Sequence, residues 1–142
     1  MQNLARHMTV PREAHVRTLM TLIKYVTHTK QRGLVLAPKD LWSTEYSFNI
    51  HGRSDSNHAT NPHDRRSISG GRVFVNGMPI CFRSVTQKFV TLSVTEAEIA
   101  AGVMVAQDML YVYRLLESLE LEVELPMVLE MDNSGAVDIA NR

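Results

Sequence analysis

The chain has 142 residues, of which 44% are hydrophobic, and its 15 basic and 15 acidic side chains give a formal net charge of +0. This length suits about one domain with a sizeable core, and the balanced charge by itself indicates no class of partner. Cys81 is the single cysteine, which excludes a disulfide framework within the chain. There is no long apolar leader and no uninterrupted apolar run near the ~20 residues that span a bilayer, so we expect no signal peptide and no membrane partner.

The first predicted element is a helix over residues 11–31. Its apolar residues recur at the spacing of one helical face, and they are Val16, Leu19, Met20, Ile23 and Val26. Pro11 is suited to the first turn of this helix and Gly33 to its end. Residues 34–36 are a candidate for a short strand before Pro38.

Strand-like alternation follows in the middle of the chain. Phe48 and Ile50 alternate with polar residues, which predicts a strand that ends at Asp55. The residues after it, 56–71, are rich in Ser, Asn, Asp, His and Gly, and are predicted to form a loop. A further short strand is predicted over residues 89–92.

A β-hairpin is predicted around the dipeptide Asn76-Gly77. This dipeptide is the strongest short hairpin signal, because both residues tolerate the positive φ of a type I′ turn. The flanking strands are predicted over residues 72–75 and 78–82.

The last third of the chain predicts a helix, a strand and a second helix. The first helix covers residues 94–119, and its apolar stripe consists of Ile99, Val103, Ala106, Leu110 and Tyr113. Ser93 and Glu96 form a capping-box pattern at its start. A strand is predicted over residues 127–131, and a helix begins in residues 134–141. This element order predicts an α/β fold with a mixed sheet, an antiparallel hairpin and flanking helices.

Three carboxylates lie at predicted element boundaries: Asp55 and Asp132 at strand ends, and Glu98 at a helix start. Each has an ordinary structural explanation, respectively a turn-forming side chain, a helix N-cap and an exposed acid that favours a helix N-terminus. Sites in mixed α/β sheets gather outside strand ends, so we expect Asp55 and Asp132 to be neighbours. With Glu98 they form a donor set for two hard cations, Mg²⁺ or Mn²⁺, roughly 4 Å apart at a phosphodiester.

Other common sites match the sequence less well. A zinc site is not indicated, because the candidate ligands lack the usual paired spacing; they are His51, His58, His63 and Cys81. The serines show no nucleophile-elbow pattern. Gly70-Gly71 lacks the Lys-Ser/Thr that follows the glycines of a phosphate-binding P-loop.

Six short segments carry a family resemblance when they are taken in order. They are SDSNHA at 54–59, DRRSISG at 64–70, GMPI at 77–80, TLSVTEAE at 91–98, LLESL at 115–119 and MDNSGA at 131–136. These segments resemble the ribonuclease H domain of copia-type LTR-retrotransposon polyproteins. The start of the chain is similar to the segment that joins reverse transcriptase to that domain. We therefore expect residues 1–32 to be a helical connection segment and residues 33–142 to be the ribonuclease H-like domain.

The resemblance implies a five-stranded mixed sheet flanked by helices, and cleavage of the RNA strand of RNA–DNA hybrids during reverse transcription. Matched by position, Asp55, Glu98 and Asp132 are the implied catalytic and metal-binding residues, with two Mg²⁺ or Mn²⁺ ions as cofactors. Glu98 is matched rather than Glu96, because an apolar residue and small residues follow it directly. The implied partners are an RNA–DNA hybrid and the reverse transcriptase domain of the same polyprotein, at an intracellular location that is cytoplasmic or nuclear.

Two departures from the family pattern matter. Glu130 precedes Met131 where the family usually has Tyr-Cys or similar, so this extra carboxylate is expected either to raise the local proton affinity or to turn away from the site. A fourth acid, with a further strand and helices, normally follows the position of Asp132, and Asp138 is too close to replace it. The chain is therefore expected to be C-terminally truncated.

Three basic residues are candidates for phosphate contacts, namely Arg65, Arg66 and Lys88, with ordinary surface charge as an equal alternative. Two other functions stay open for the chain. One is a catalytically inactive, truncated retroelement remnant that is at most a nucleic-acid-binding module. The other is an α/β interaction domain in which all three acids are caps.

Overall fold

The chain forms two compact units, Met1–Val35 and Leu36–Arg142. The computed structural model describes residues 4, 7–34, 36–37, 47–60 and 64–142.

The first unit contains helix α1 (Glu13–Thr29), which has no buried residue. The predicted apolar stripe lies on this helix, and its side chains are about half exposed. The extended backbone of Arg12 makes that residue the N-cap, so Pro11 lies outside the helix and its predicted place in the first turn is wrong.

The second unit is built on a mixed sheet. Its elements are β1 (Ser47–Phe48), β2 (Ile50–Asn57), β3 (Ile68–Val75), β4 (Met78–Thr86), α2 (Val94–Ser118), β5 (Glu122–Val123), β6 (Val128–Met131) and α3 (Ser134–Ala140). In the described part of the chain the main sheet has the order β4-β3-β2-β6, with β2 antiparallel to β3 and parallel to β6. A separate parallel pair joins β1 and β5. This α/β architecture with flanking helices confirms the predicted fold class and is consistent with a ribonuclease H-like fold.

The predicted hairpin forms between β3 and β4. Asn76 and Gly77 have φ values of 47° and 72°, and Val75 and Met78 pair on either side of them. The positive φ at both turn positions matches the type I′ geometry that the dipeptide favours. The hairpin prediction is therefore confirmed, although both strands are longer than predicted.

Strand β2 also extends further than the sequence suggested. It continues two residues beyond Asp55 to Asn57, which pairs with Ile68 at the start of β3. The predicted loop over residues 56–71 is therefore shorter at both ends, and Asp55 lies within a strand rather than at its end. The physical reason is that antiparallel pairing with β3 satisfies the backbone groups of these polar residues.

One predicted strand does not form, and a second falls partly outside the described residues. Residues 89–92 have no regular structure, and Thr91 in this segment is buried with its hydroxyl 2.8 Å from that of Ser67. That side-chain contact fixes the segment without a strand partner. Leu34 and Leu36 lie in irregular structure, while Val35 between them is outside the described residues.

Helix α2 covers the predicted span but packs on β2 and β3 through a different face. Its buried residues are Ala97, Glu98, Ala101, Gly102, Val105, Met109 and Val112. Two members of the predicted stripe, Val103 and Leu110, are instead 53% and 45% exposed. Apolar residues surround much of this helix, so periodicity alone could not select the packed face, and the smaller residues allow the closest approach to the sheet.

Glycines on the sheet set the distance between α2 and the strands. A Cβ at Gly52 would clash with Met109 Sδ and would lie 2.9 Å from Val105 Cγ1, and a Cβ at Gly71 would clash with Val105 Cγ2. Larger side chains at these positions would push the helix outward. The two glycines therefore hold α2 close to β2, the strand that carries Asp55.

The length and apolar composition of α2 would also suit a membrane-spanning helix. A core helix meets the same criteria, and α2 has one face buried against the sheet. Burial of that face accounts for part of the apolar content of the helix.

Candidate metal centre

The three predicted acids converge in the folded chain. One carboxylate oxygen each of Asp55, Glu98 and Asp132 lies within 4.8 Å of the other two. Asp55 and Asp132 are exposed, whereas Glu98 is buried. Within the described ranges, these three acids form the group of His, Cys, Asp or Glu side chains that could hold a metal ion. His63, one of the residues considered for a zinc site, lies outside those ranges.

The register of two parallel strands brings the aspartates together. Ser54 of β2 pairs with Met131 of β6, and the following residue in each case is an aspartate. Parallel pairing places these consecutive positions at the same end of the β2–β6 ladder, beyond which β2 itself continues to Asn57. The cap of α3 is Asn133, whose side chain accepts the N–H of Ala136 at 2.9 Å, so the alternative explanation of Asp132 as that N-cap is wrong.

Glu98 is positioned by the start of α2. Ser93 is the N-cap, and its hydroxyl accepts the N–H of Glu96 at 3.1 Å. The carboxylate of Glu96 accepts the N–H of Leu92 at 2.6 Å, so this acid has a local structural task as expected, although with the residue before the cap. Glu98 lies on the buried face of the same helix with 2% of its surface exposed, which overturns the alternative of a solvent-facing acid.

The two oxygens of Glu98 have different surroundings. Oε1 accepts both the backbone N–H of Ser56 at 3.1 Å and the Ser56 hydroxyl at 2.7 Å. Oε2 is buried and has no hydrogen-bond partner among the described residues. A buried carboxylate oxygen without a partner carries a large desolvation cost, and a divalent cation is a partner that would offset it.

The donor set fits a hard cation. All three side chains supply carboxylate oxygens, which suit Mg²⁺ or Mn²⁺, and their spacing lets one ion contact oxygens from more than one of them. Two of the three acids are exposed, so the site is open to a ligand from the solvent side. Such a centre can neutralise developing charge on a phosphate and activate water.

The extra carboxylate beside the site is turned to other partners. Glu130 Oε2 lies 2.7 Å from Arg53 Nε, and its Oε1 lies 3.0 Å from His51 Nε2. These pairs join β2 and β6 on the face that carries Asp55. Glu130 is therefore paired with Arg53 and His51, although it lies on the same face as Asp55 and lines the same groove as the two aspartates.

An open groove of about 1050 Å³ adjoins the two exposed aspartates. Gly70 lies directly across from Asp55 in the β2–β3 pair, and Arg72 is two residues further along the same face. Phe82 pairs with Arg72 from β4 and also lines the groove. Arg72 is exposed, and no ion pair involves it within the described residues.

The predicted phosphate contacts lie outside the acid cluster. Arg65, Arg66 and Lys88 are exposed in the segments before β3 and after β4, towards the end of the sheet that holds the acids. Arg66 Nε is 3.8 Å from Asp64 Oδ2, a long and exposed ion pair. Their role with nucleic acid stays a prediction.

Sequence reasoning missed two polar residues beside the acids, Ser56 and Arg72. Ser56 follows Asp55 in β2, and successive side chains of a strand point to opposite faces. The alternation of the strand could therefore have indicated that Ser56 points inward. Arg72 could have been found from the register of the predicted hairpin, once Gly70 was placed opposite Asp55.

The sequence is similar to known proteins, but not to any of known structure. No protein-family profile and no solved structure matches the chain. It is 29% and 28% identical, over 94% of its own length, to the retrovirus-related Pol polyproteins from transposons RE1 and RE2 of Arabidopsis thaliana. It is 26% identical, over 96% of its length, to the retrovirus-related Pol polyprotein from transposon TNT 1-94 of Nicotiana tabacum. The aligned part is 9% of each of the first two relatives and 10% of the third, so the chain spans about a tenth of their length. Over most of its residues, the chain is similar to a segment of the Pol polyproteins of copia-type transposons.

Proposed function

We propose that this chain is a ribonuclease H-type domain that hydrolyses the RNA strand of RNA–DNA hybrids, as part of a retrotransposon Pol polyprotein. One observation carries the proposal: Asp55, Glu98 and Asp132 converge, and the buried Glu98 Oε2 has no protein partner within the described residues. Similarity to Pol polyproteins along nearly the whole chain supports the same function.

Each acid has a distinct task in this proposal. Asp55 and Asp132 face the solvent side, where substrate arrives, and Glu98 holds the site from the buried side. Mg²⁺ or Mn²⁺ bound by these residues supplies charge neutralisation at the phosphate and activation of water. Hydrolysis would break the bond between phosphorus and the 3′-oxygen, leaving a 3′-hydroxyl and a 5′-phosphate. Glu130, engaged by Arg53, does not belong to the donor set.

Nucleic-acid binding in this proposal rests on basic residues around the acids. Arg65, Arg66 and Lys88 are exposed towards the same end of the sheet, and Arg72 lies in the groove beside Asp55. Phosphate contacts of this kind release counterions, so hybrid binding falls as salt rises. Preference for RNA would come from 2′-hydroxyl groups displayed in the minor groove of the hybrid.

The first unit is assigned in the same proposal to a connection with another part of the polyprotein. Residues 1–32 contain α1, whose apolar stripe is about half exposed. Their similarity to Pol polyproteins supports a role as the segment between a reverse transcriptase domain and residues 33–142.

A labelled RNA–DNA hybrid incubated with the purified chain and Mg²⁺ or Mn²⁺ tests the activity. Wild-type protein should cleave the RNA strand. The cleavage rate should fall by about 100-fold or more in each of Asp55→Asn, Glu98→Gln and Asp132→Asn. This loss exceeds the one expected for a residue that only hydrogen-bonds to a metal ligand. Glu130→Gln is the matched control, because it removes a neighbouring acid that pairs with Arg53 and should leave the rate within a few-fold.

The outcomes separate the proposed enzyme from its alternatives. A folded wild-type protein that binds the hybrid without cleaving it would indicate a nucleic-acid-binding remnant. A folded protein that neither binds nor cleaves would indicate an interaction domain. Equal cleavage of single-stranded RNA, or equal rates in the acid variants, would point to a contaminating nuclease.

A further inference from the structure

The two oxygens of the buried Glu98 carboxylate differ, because one is hydrogen-bonded to Ser56 and the other has no hydrogen-bond partner among the described residues. The hydroxyl and the backbone N–H of Ser56 both donate to Oε1, at 2.7 Å and 3.1 Å. Oε2 is buried without a partner in the described part of the chain, in a residue that is 2% exposed. This asymmetry is built into the fold, because both partners belong to one residue of β2.

We propose that Ser56 is a positioning residue that makes Glu98 a one-oxygen ligand, and that it thereby biases the site towards Mg²⁺ and Mn²⁺ over Ca²⁺. The inference rests on the metal centre of the proposed function but not on catalysis. It concerns the choice of cation, which the three acids alone do not decide.

The physical argument compares how the two kinds of cation use carboxylates. Mg²⁺ takes six ligands in a near-ideal octahedron and is bound by few carboxylates, whereas Ca²⁺ takes six to eight oxygens and often uses both oxygens of one carboxylate. A two-oxygen contact from Glu98 would require Oε1 to leave its two hydrogen bonds with Ser56. Bonds to an ionised oxygen are roughly twice as strong as neutral ones, so that change is unfavourable.

The geometry of β2 explains why Ser56 can make both contacts. Alternation along the strand points Asp55 to the open face and Ser56 to the face against α2, where Glu98 lies. The pairing of β2 with β6 ends at Ser54, so Ser56 extends beyond that ladder. Asp55 is therefore a candidate metal ligand, and the next residue, Ser56, orients the second candidate ligand, Glu98.

Calorimetric titration of metal-free protein with MgCl₂, MnCl₂ and CaCl₂ tests the inference. In Ser56→Ala, Mg²⁺ affinity should fall roughly 10-fold, the low end for losing an outer hydrogen bond, while Ca²⁺ affinity falls less or rises. The ratio of the Ca²⁺ and Mg²⁺ dissociation constants therefore drops. Ser56→Thr keeps the hydroxyl and should restore the ratio.

A second buried serine on the same face provides the matched control. Ser54 is 7% exposed, and its hydroxyl has no hydrogen-bond partner among the described residues. Ser54→Ala should leave the ratio of dissociation constants at the wild-type value. Glu98→Gln should remove high-affinity binding of all three cations, which shows that the titration reports this site.

Difference infrared spectroscopy gives a readout that stability changes do not move. One-oxygen and two-oxygen carboxylate contacts differ in the separation of their antisymmetric and symmetric stretching bands. The two-oxygen signature should appear with Ca²⁺ in Ser56→Ala and be absent from wild-type protein with Mg²⁺.

Three results would overturn the inference. They are an unchanged cation ratio in a folded Ser56→Ala protein, an equal loss of Mg²⁺ and Ca²⁺ affinity, and no cation binding by the wild-type chain. Binding of Mg²⁺ with the expected Ser56 effect but without hybrid cleavage would instead reject the proposed activity and leave the role of Ser56 intact.

Discussion

Asp55 and Asp132 lie side by side because β2 and β6 run parallel with Ser54 opposite Met131. The residue that follows each member of this pair is an aspartate, so the register of the strands alone sets their proximity. Glu98 joins them from α2, which packs on the same strand. The cluster therefore depends on one strand register and one helix packing, and each can be tested separately.

Cation binding should stabilise the folded protein, because it relieves the repulsion among three converging carboxylates. A cation at 100 times its dissociation constant adds about 2.7 kcal/mol to the free energy of unfolding. Thermal unfolding followed by circular dichroism, first in MgCl₂ and then in EDTA, measures the change. Glu98→Gln should abolish it and Glu130→Gln should preserve it; the same melting temperature in both buffers would contradict the metal centre.

In cation-free protein, substitutions of Asp132 and Asn133 should change the free energy of unfolding in opposite directions. Asp132→Asn relieves like-charge repulsion and should raise the free energy of unfolding by up to about 1 kcal/mol, an effect that salt screens. Asn133→Ala removes the cap of α3 and should lower it by about 1 kcal/mol. Urea denaturation in EDTA compares the two variants. A similar loss in both would mean that Asp132 has a structural task after all.

Gly52→Ala should destabilise the protein through overpacking. The added methyl group would clash with Met109 Sδ and crowd Val105, which are 3% and 1% exposed, and we expect a cost of about 1–3 kcal/mol. Gly70→Ala is the control on the neighbouring strand, because its nearest contact is the Asp55 carbonyl oxygen at an ordinary 3.6 Å. Chemical denaturation measures both, and equal effects would show that α2 is not held by this close approach.

Arg72→Ala should weaken hybrid binding and reduce its dependence on salt. Loss of one phosphate contact lowers the slope of log affinity against log salt by about 1. Fluorescence anisotropy with a labelled hybrid, without divalent cations and at several KCl concentrations, gives the slope. Arg83→Ala should change it less, because Arg83 Nε is already 3.0 Å from Asp108 Oδ2. Identical slopes for wild type and Arg72→Ala would remove Arg72 from the binding surface.

Gln87 should be needed for the position of α2. Its side-chain amide donates to Ser69 Oγ at 2.9 Å and to the Ala97 carbonyl at 3.0 Å, and the residue is 7% exposed. Gln87→Ala should cost about 1–3 kcal/mol of stability. Because Ala97 precedes Glu98, Mg²⁺ affinity should fall as well. Lys88→Ala, an exposed neighbour, should stay within about 0.5 kcal/mol in the same denaturation experiment.

The sequence by itself determined the elements that depend on local interactions. The hairpin at Asn76-Gly77 follows from the backbone freedom of two adjacent residues, and the start of α2 follows from Ser93 as its cap. The sequence also indicates the three acids, although it predicts their convergence only through the family resemblance and the general behaviour of strand ends. Local patterns carry this information because the contacts involved are a few residues apart.

Tertiary structure alone decided what surrounds the acids. The face of α2 that packs on the sheet brings Val105 and Met109 against Gly52 and Gly71. The period of the sequence could not reveal this face, because apolar residues lie on several sides of the helix. Burial of Glu98, its bonds with Ser56 and the pairing of Glu130 with Arg53 all follow from that packing and from the β2–β6 register. Such contacts join residues far apart in sequence, and their geometry is fixed only when the helix and strands pack together.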